Sequence, residues 1–169
     1  MFGRKLATLV LLAGAIATQI PGAANANTVT LTVSGTVALA CTLTPPAGGT
    51  TINLDSIAVA GTHTASLSGF TDTCNARNGY GIIASSLNGI QHNVAGGQLV
   101  GGPGNAGTVT YSVTYGGTAI PMAGGIGIAT YPRPQGNSAT RTLTLGYAGN
   151  QDLTADTYSD VLMLTIFNQ

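Results

Sequence analysis

The chain has little charge. Among 169 residues there are five Lys and Arg and five Asp, no Glu, and a formal net charge of zero. The charged fraction is 6 %, against roughly 25 % in an ordinary soluble domain. Clustered Lys and Arg, which a nucleic-acid binder needs against the phosphate backbone, are absent, so that class is excluded. The same shortage of Glu, Lys and Arg argues against a coiled coil or helical bundle. Trp is missing, and the six Tyr are spread along the chain, which leaves no obvious aromatic platform for a sugar. Disorder driven by charge does not fit either, because 44 % of the residues are hydrophobic. What is abundant is Gly and Thr, with 25 of each.

The first segment reads as an address. Arg4 and Lys5 precede the apolar run Leu6–Ile20, Pro21-Gly22 breaks it, and Ala24-Asn25-Ala26 supplies an A-x-A cleavage site. The apolar run falls short of the ~20 residues that a membrane span requires. Residues 1–26 are therefore expected to be a cleaved signal peptide, leaving a mature chain from Asn27. That chain keeps three Arg against five Asp and has no Lys. Export gives meaning to Cys41 and Cys74, the only cysteines. In an oxidising compartment an isolated pair most simply forms one disulfide, two free buried thiols being the alternative.

The dominant rhythm has the period of a strand, two. In Thr28–Leu39, Val29, Leu31, Val33, Val37 and Leu39 share one face with Gly35, and Thr or Ser occupies most of the other. Thr108–Tyr115 places Val109, Tyr111, Val113 and Tyr115 on one face, and Thr140–Tyr147 places Leu143, Leu145 and Tyr147 inward. Further strands are expected near Thr51–Val59, Thr64–Thr73 and Tyr80–Ser86. Turn signals separate these runs: Pro45–Gly49, Asn75–Gly79, Asn88-Gly89, Gly101–Gly107, Gly116-Gly117, Gly124-Gly125 and Pro132–Pro134. No helix is expected. Short strands with turns between them indicate an all-β sandwich.

The two ends are complementary. Tyr158–Phe167 begins by alternating and then becomes apolar on both faces, with Leu162, Leu164 and Ile166 on one and Val161, Met163 and Phe167 on the other. Such a strand is expected to be central and covered, yet only Asn168-Gln169 follow it. A sandwich lacking its last strand would expose a groove and an open hydrogen-bonding edge there. The N-terminal run is extended and alternating, and could complete that ladder by β-augmentation. Insertion into its own groove would give a monomer, and head-to-tail insertion into a neighbour's would give a fibre.

Several segments resemble the archaic chaperone–usher pilus subunits with a spore coat protein U-like domain. These are the alternating TVTLTVSGTV before Cys41, the run TDTCNARNGYGI (Thr71–Ile82), YSVTYGG (Tyr111–Gly117) and RTLTLGYAGNQDLTADTYSDVLMLTIF (Arg141–Phe167). The turn before the terminal strand usually opens with Gly in that family and here reads Asp156-Thr157-Tyr158-Ser159-Asp160. The resemblance implies an incomplete immunoglobulin-like β-sandwich, with residues 27–37 as an N-terminal donor strand and 38–169 as the sandwich. It implies a surface pilus subunit exported through the periplasm. Its partners would be further copies of itself or related subunits, a periplasmic chaperone that first lends a strand, and an outer-membrane usher. By the same resemblance Val29, Leu31, Val33 and Val37 would be donor-strand plugs, with Gly35 the small position among them. Leu162, Leu164, Ile166 and Phe167 would supply the acceptor groove or core, the groove-lining face being left open. The alternative for the N-terminal run is an ordinary first strand of a complete sandwich.

Chemistry is sparse. His63 and His92 are the only histidines, lie in loop-like surroundings and match no zinc pattern. Asp152, Asp156 and Asp160 recur every four residues, but a calcium loop needs denser oxygen ligands. Gly101-Gly102-Pro103-Gly104 lacks the Lys-Ser/Thr of a phosphate loop. No catalytic residue, metal or cofactor is expected. The competing reading is a monomeric secreted β-sandwich that adheres to carbohydrate or other surfaces, with a secreted enzyme a distant third.

Overall fold

The computed structural model describes residues 31–169. The expected signal peptide and Val29 lie outside them. The described chain falls into two units divided after Thr36. Residues 31–36 of the first contain no strand, and their side chains are exposed. The second unit holds ten strands: β1 (Cys41–Thr44), β2 (Gly61–Cys74), β3 (Tyr80–Ser86), β4 (Gly97–Val100), β5 (Thr108–Tyr115), β6 (Thr118–Ile120), β7 (Met122–Ala123), β8 (Ile126–Tyr131), β9 (Ser138–Gly149) and β10 (Leu162–Asn168). One short helix, α1 (Leu87–Gln91), follows β3, and a single 3-10 turn spans Gln135–Asn137.

The strands form two antiparallel sheets. The first runs β1-β2-β9-β5-β4, with β6 also paired to β5, and the second runs β10-β3-β8-β7. The architecture is thus an all-β sandwich. Its core lies between the sheets, where Tyr80, Ile82, Val113 and Tyr115 are fully buried. The strand period places them there: β5 buries Val109, Tyr111, Val113 and Tyr115 and turns Thr110 and Ser112 outward. On the outer face of the first sheet, the hydroxyls of Ser66 and Thr144 meet at 2.9 Å and that of Thr142 donates to Ser68.

Two features set the register. The hairpins β5–β6 and β7–β8 close through Gly116-Gly117 and Gly124-Gly125, all four with positive φ. This is the two-residue turn whose twist matches that of the flanking strands. In β2 the pairing with β9 slips between Ser68 and Phe70. The intervening Gly69 has φ 97°. This bulge moves the inward set from Ala65 and Leu67 to Phe70, Asp72 and Cys74.

Several expectations are corrected. Residues 31–39, the described part of the Thr28–Leu39 run, form no strand, and neither does the run from Thr51 to Val59. Alternation makes a segment compatible with a sheet, but only a paired backbone makes a strand. The Asn88-Gly89 turn signal falls inside α1, which Ser86 caps by accepting from Gly89 N at 2.9 Å. β10 lies at the edge of its sheet, as the expected open edge requires, but it is not covered on both faces.

Cys41 and Cys74 form a disulfide at the directly opposed first pair of the β1–β2 ladder. Replacing both by Ser should lower unfolding stability by ~2–4 kcal/mol. A denaturant midpoint unchanged from that of the oxidised chain would contradict this.

Candidate functional site

The longest edge strand is β10, with seven residues. β1 and β4 have four each and β7 has two. β10 pairs with β3 over its whole length, from Leu162 opposite Ser86 to Asn168 opposite Tyr80. No strand among the described residues pairs with its other side. An unpaired row of backbone donors and acceptors is a template for another strand.

Beside this edge the sandwich opens into a cleft of about 280 Å³. Its floor is apolar: Leu67, Phe70, Leu143 and Leu145 come from the first sheet, and Leu162 and Leu164 from β10. Across from β10 lie Leu43 of β1 and, further along, Ile52 and Leu54. The stretch from Thr50 to Leu54 alternates, with Ile52 and Leu54 half-buried and their neighbours exposed, yet belongs to no strand. The cleft is thus flanked by a strand with one side free and by an extended segment without a ladder.

One wall is polar. Asp160 lies just before β10 and lines the cleft beside Tyr111 and Leu99. Its Oδ2 accepts from the Ser86 hydroxyl at 2.5 Å and from the Tyr111 phenol at 2.6 Å. Its Oδ1 accepts from Asn88 N at 3.0 Å and Val161 N at 2.8 Å. Burial first, then the Asp160 carboxylate, pushes the Tyr111 phenol well above its ordinary range. The Tyr111 ring lies over Gly97, where a Cβ would meet it at 2.1 Å. Earlier in the same turn, Asp156 accepts from Gly102 N at 2.8 Å and Asn105 Nδ2 at 2.9 Å. The Asn105 amide, with Thr157 N–H, holds its carboxyl below the usual range. The Asp156–Asp160 turn therefore fixes where β10 starts.

The expected groove residues separate by face. Leu162 and Leu164 line the cleft, and Ile166 packs inward against the core. Phe167 lies on the opposite face, over Gly81, where a Cβ would meet its ring at 2.2 Å. Among the expected donor residues, Leu31, Val33 and Val37 are 81 %, 86 % and 85 % exposed, and a Cβ added to Gly35 would touch nothing within 4 Å. At the start of the sandwich, Asn75 clamps the backbone: its Nδ2 donates to Ala38 O at 2.7 Å, and Ala40 N donates to its Oδ1 at 2.8 Å.

A second polar cluster is buried in the core. Asp72 is fully buried and accepts from the Tyr80 and Tyr115 phenols at 2.5 Å each, with Arg141 Nε at 3.3 Å. The guanidinium also stacks 5.0 Å from the Tyr131 ring centre. Burial, and then the bond to Asp72, pushes the Tyr80 phenol up to about 12. Every member is satisfied by another, which marks a structural network. His63 lies in β2, not in a loop, and its Nε2 bonds Val59 O at 2.9 Å. His92 is exposed beyond α1. Among the described residues no three His, Cys, Asp or Glu side chains gather where a metal could sit. No helix among them is long and apolar enough to cross a membrane.

Sequence patterning pointed to Tyr111, Leu143 and Leu145 as inward residues, but not to their place in the lining of the cleft. Ile52, Leu54, Phe70, Leu99 and Asp160 were not singled out for it. The only local signal was the alternation of Ile52 and Leu54, which points inward without naming a partner. No family model matches the chain, and no curated protein matches it either.

Proposed function

We propose that this chain is the structural subunit of a surface fibre, assembled when the segment Thr28–Val37 of one copy fills the cleft of the next. The observation that carries the reading is the unpaired seven-residue edge of β10 beside an apolar cleft. A strand entering there would gain a backbone ladder from β10 and bury alternate side chains against Leu162 and Leu164. The run that alternates in the required way is Val29, Leu31, Val33, Gly35 and Val37. Burying the four larger side chains stabilises the contact by at most ~6–12 kcal/mol. The extended stretch from Thr50 to Leu54 would find a partner on its free side. Donor and cleft lie on one chain, and a head-to-tail contact between copies does not close, so it propagates.

The resemblance to archaic chaperone–usher subunits supplies the remainder of the proposal. A periplasmic chaperone would cover the cleft before assembly, and an outer-membrane usher would pass the subunit outward. The Cys41–Cys74 disulfide is compatible with passage through an oxidising compartment. The subunit would be an immunoglobulin-like sandwich short of one strand, working by strand exchange rather than catalysis.

Light scattering on the chain from Asn27 to Gln169, with and without residues 27–37, tests the proposal. The full chain should give a ladder of oligomers or fibres. The truncated chain should be unstable until a Thr28–Val37 peptide is added. Two stable monomers would overturn it in favour of a self-contained secreted adhesin.

A further inference from the structure

β1 starts where β10 stops. Cys41 opposes Cys74, and Asn168 opposes Tyr80. The two pairs lie at one end of the sandwich: Gln169 N donates to Gly79 O, Gly79 N to Ala76 O, and the Tyr80 phenol to Asp72. β10 begins at the other end, with Leu162 opposite Ser86. β1 and β10 therefore run in opposite directions, with the cleft between Leu43 on one side and Leu162 and Leu164 on the other. The backbone ahead of Cys41 leaves the sandwich from the end at which β10 finishes.

Asn75 holds that backbone straight. Its N–H donates to Ala40 O at 3.1 Å, one step of the β1–β2 ladder beyond the disulfide. The chain after Asn75 then folds back on itself, Gly79 N donating to Ala76 O, and the Asn75 side chain takes the place of the next peptide group. Its Oδ1 accepts from Ala40 N at 2.8 Å and its Nδ2 donates to Ala38 O at 2.7 Å. A side-chain amide offers the same acceptor and donor as a peptide. Residues 38–40 thus continue the line of β1 outward for about 10 Å, at roughly 3.3 Å each. The side chains of Ala38, Leu39 and Ala40 are exposed, so burial does not hold this course.

That course decides which cleft the segment Thr28–Val37 can reach. To enter the cleft of its own chain, the segment must reverse and return beside β1. A turn at residues 38–40 would allow this, but it breaks all three bonds to Asn75. With those bonds kept, the turn falls within the segment itself. A tight hairpin uses about two residues, and about three more retrace the length of residues 38–40. Residues 33–37 are consumed in this way. Of the larger alternating side chains, only Val29 and Leu31 are then left to fill the cleft. A neighbour's cleft demands no reversal and can receive Val33 and Val37 as well.

We propose that Asn75 is a positioning residue: its side-chain amide bars the donor segment from the cleft of its own chain and so commits it to another copy. This rests on the fibre reading for what the segment fills. The choice between a closed monomer and a chain of subunits is thereby set outside both the donor segment and the cleft.

The chain from Asn27 to Gln169 tests this at a dilution where light scattering shows monomer alone, with the disulfide intact. Melting temperature is read without peptide, and then the concentration of Thr28–Val37 peptide that half-fills the cleft. Asn75→Ala frees residues 38–40 to turn, so the peptide-free chain should melt higher than the unsubstituted one. A merely structural contact would lower it. The same variant should need roughly tenfold more peptide, the scale of two lost hydrogen bonds. Asn75→Asp keeps the acceptor for Ala40 N but not the donor for Ala38 O, and should fall between. An insert of about six Gly and Ser residues between Val37 and Ala38 supplies the turn and the return length with Asn75 in place. It should reproduce the Asn75→Ala behaviour. A lower melting temperature in Asn75→Ala, an unchanged peptide requirement, or an insert that behaves as the unsubstituted chain would each overturn the proposal. A concentrated unsubstituted chain that stays monomeric would sink the fibre reading, while the dilute comparison would still decide the role of Asn75.

Discussion

Chains carrying Leu31→Asp or Val33→Asp are expected to form no polymer, while each subunit stays folded when a strand-lending chaperone or peptide occupies its cleft. Both positions are more than four-fifths exposed. The substitution therefore falls on exposed side chains. Its effect falls on insertion. Each change gives up ~1.5–3 kcal/mol of apolar burial and asks the cleft to accept a carboxylate, at a further cost of several kcal/mol. The sum corresponds to a loss of roughly a thousandfold or more in the donor–cleft equilibrium, at about 1.4 kcal/mol per tenfold. Electron microscopy and pulldown would read the result. Fibres at normal yield from either variant would count decisively against strand donation by this segment.

Asp72→Ala is expected to be among the most damaging single changes in the sandwich. It removes the common acceptor of Tyr80, Tyr115 and Arg141. Stranding one partner of a buried pair costs about 3–5 kcal/mol. Denaturant unfolding should show a loss of that size, and a change below 1 kcal/mol would refute the network's structural role. The same cluster predicts an alkaline limit. Tyr80 has a phenol raised from about 10 to about 12, chiefly by burial. A raised acid is held neutral by the fold, so its contribution is complete below pH 10. It is lost as pH climbs from 10 through 12, by up to ~1.4 kcal/mol per pH unit. Because burial is the larger cause, this alkaline loss should persist in the Asp72→Ala chain, reduced in size. A denaturant midpoint that stays flat between pH 9 and pH 12 would contradict it.

The strands legible in the sequence are those in which large apolar residues alternate with Thr or Ser. β3 and β5 span the expected Tyr80–Ser86 and Thr108–Tyr115. β2 and β9 extend a few residues beyond theirs. β4, β6 and β7 were not legible, because two to four residues are too few to show a period. β8 was hidden for a different reason: its inward residues include Gly127 and Ala129 and its outward ones Ile126 and Ile128, so its hydrophobic pattern points the wrong way. α1 contains Gly89 and reads as a turn, and it forms because Ser86 caps it and Asp160 holds Asn88 N. The stretch from Thr51 to Val59 carries an alternating pattern but no ladder, since pairing depends on a neighbour that local sequence does not specify. The same holds for the cleft. Leu162 and Leu164 could be placed on one strand face, but their position beside Phe70, Leu143 and Leu145 depends on contacts far apart in sequence. Asp72 gave no signal, because its partners Tyr115 and Arg141 lie 43 and 69 residues away.

The disulfide has a mechanical consequence. Cys41 and Cys74 are 33 positions apart in the chain and covalently joined. A pull on the backbone ahead of Cys41 passes straight across to Cys74 and on into β3. The intervening residues, β1 without Cys41 and β2 without Cys74, are bypassed and cannot be drawn out as slack. At about 3.3–3.6 Å per extended residue, that withholds roughly 110 Å of lengthening. Under load, the subunit behaves as a chain with a shortened contour, and it would lengthen by that amount only after chemical reduction.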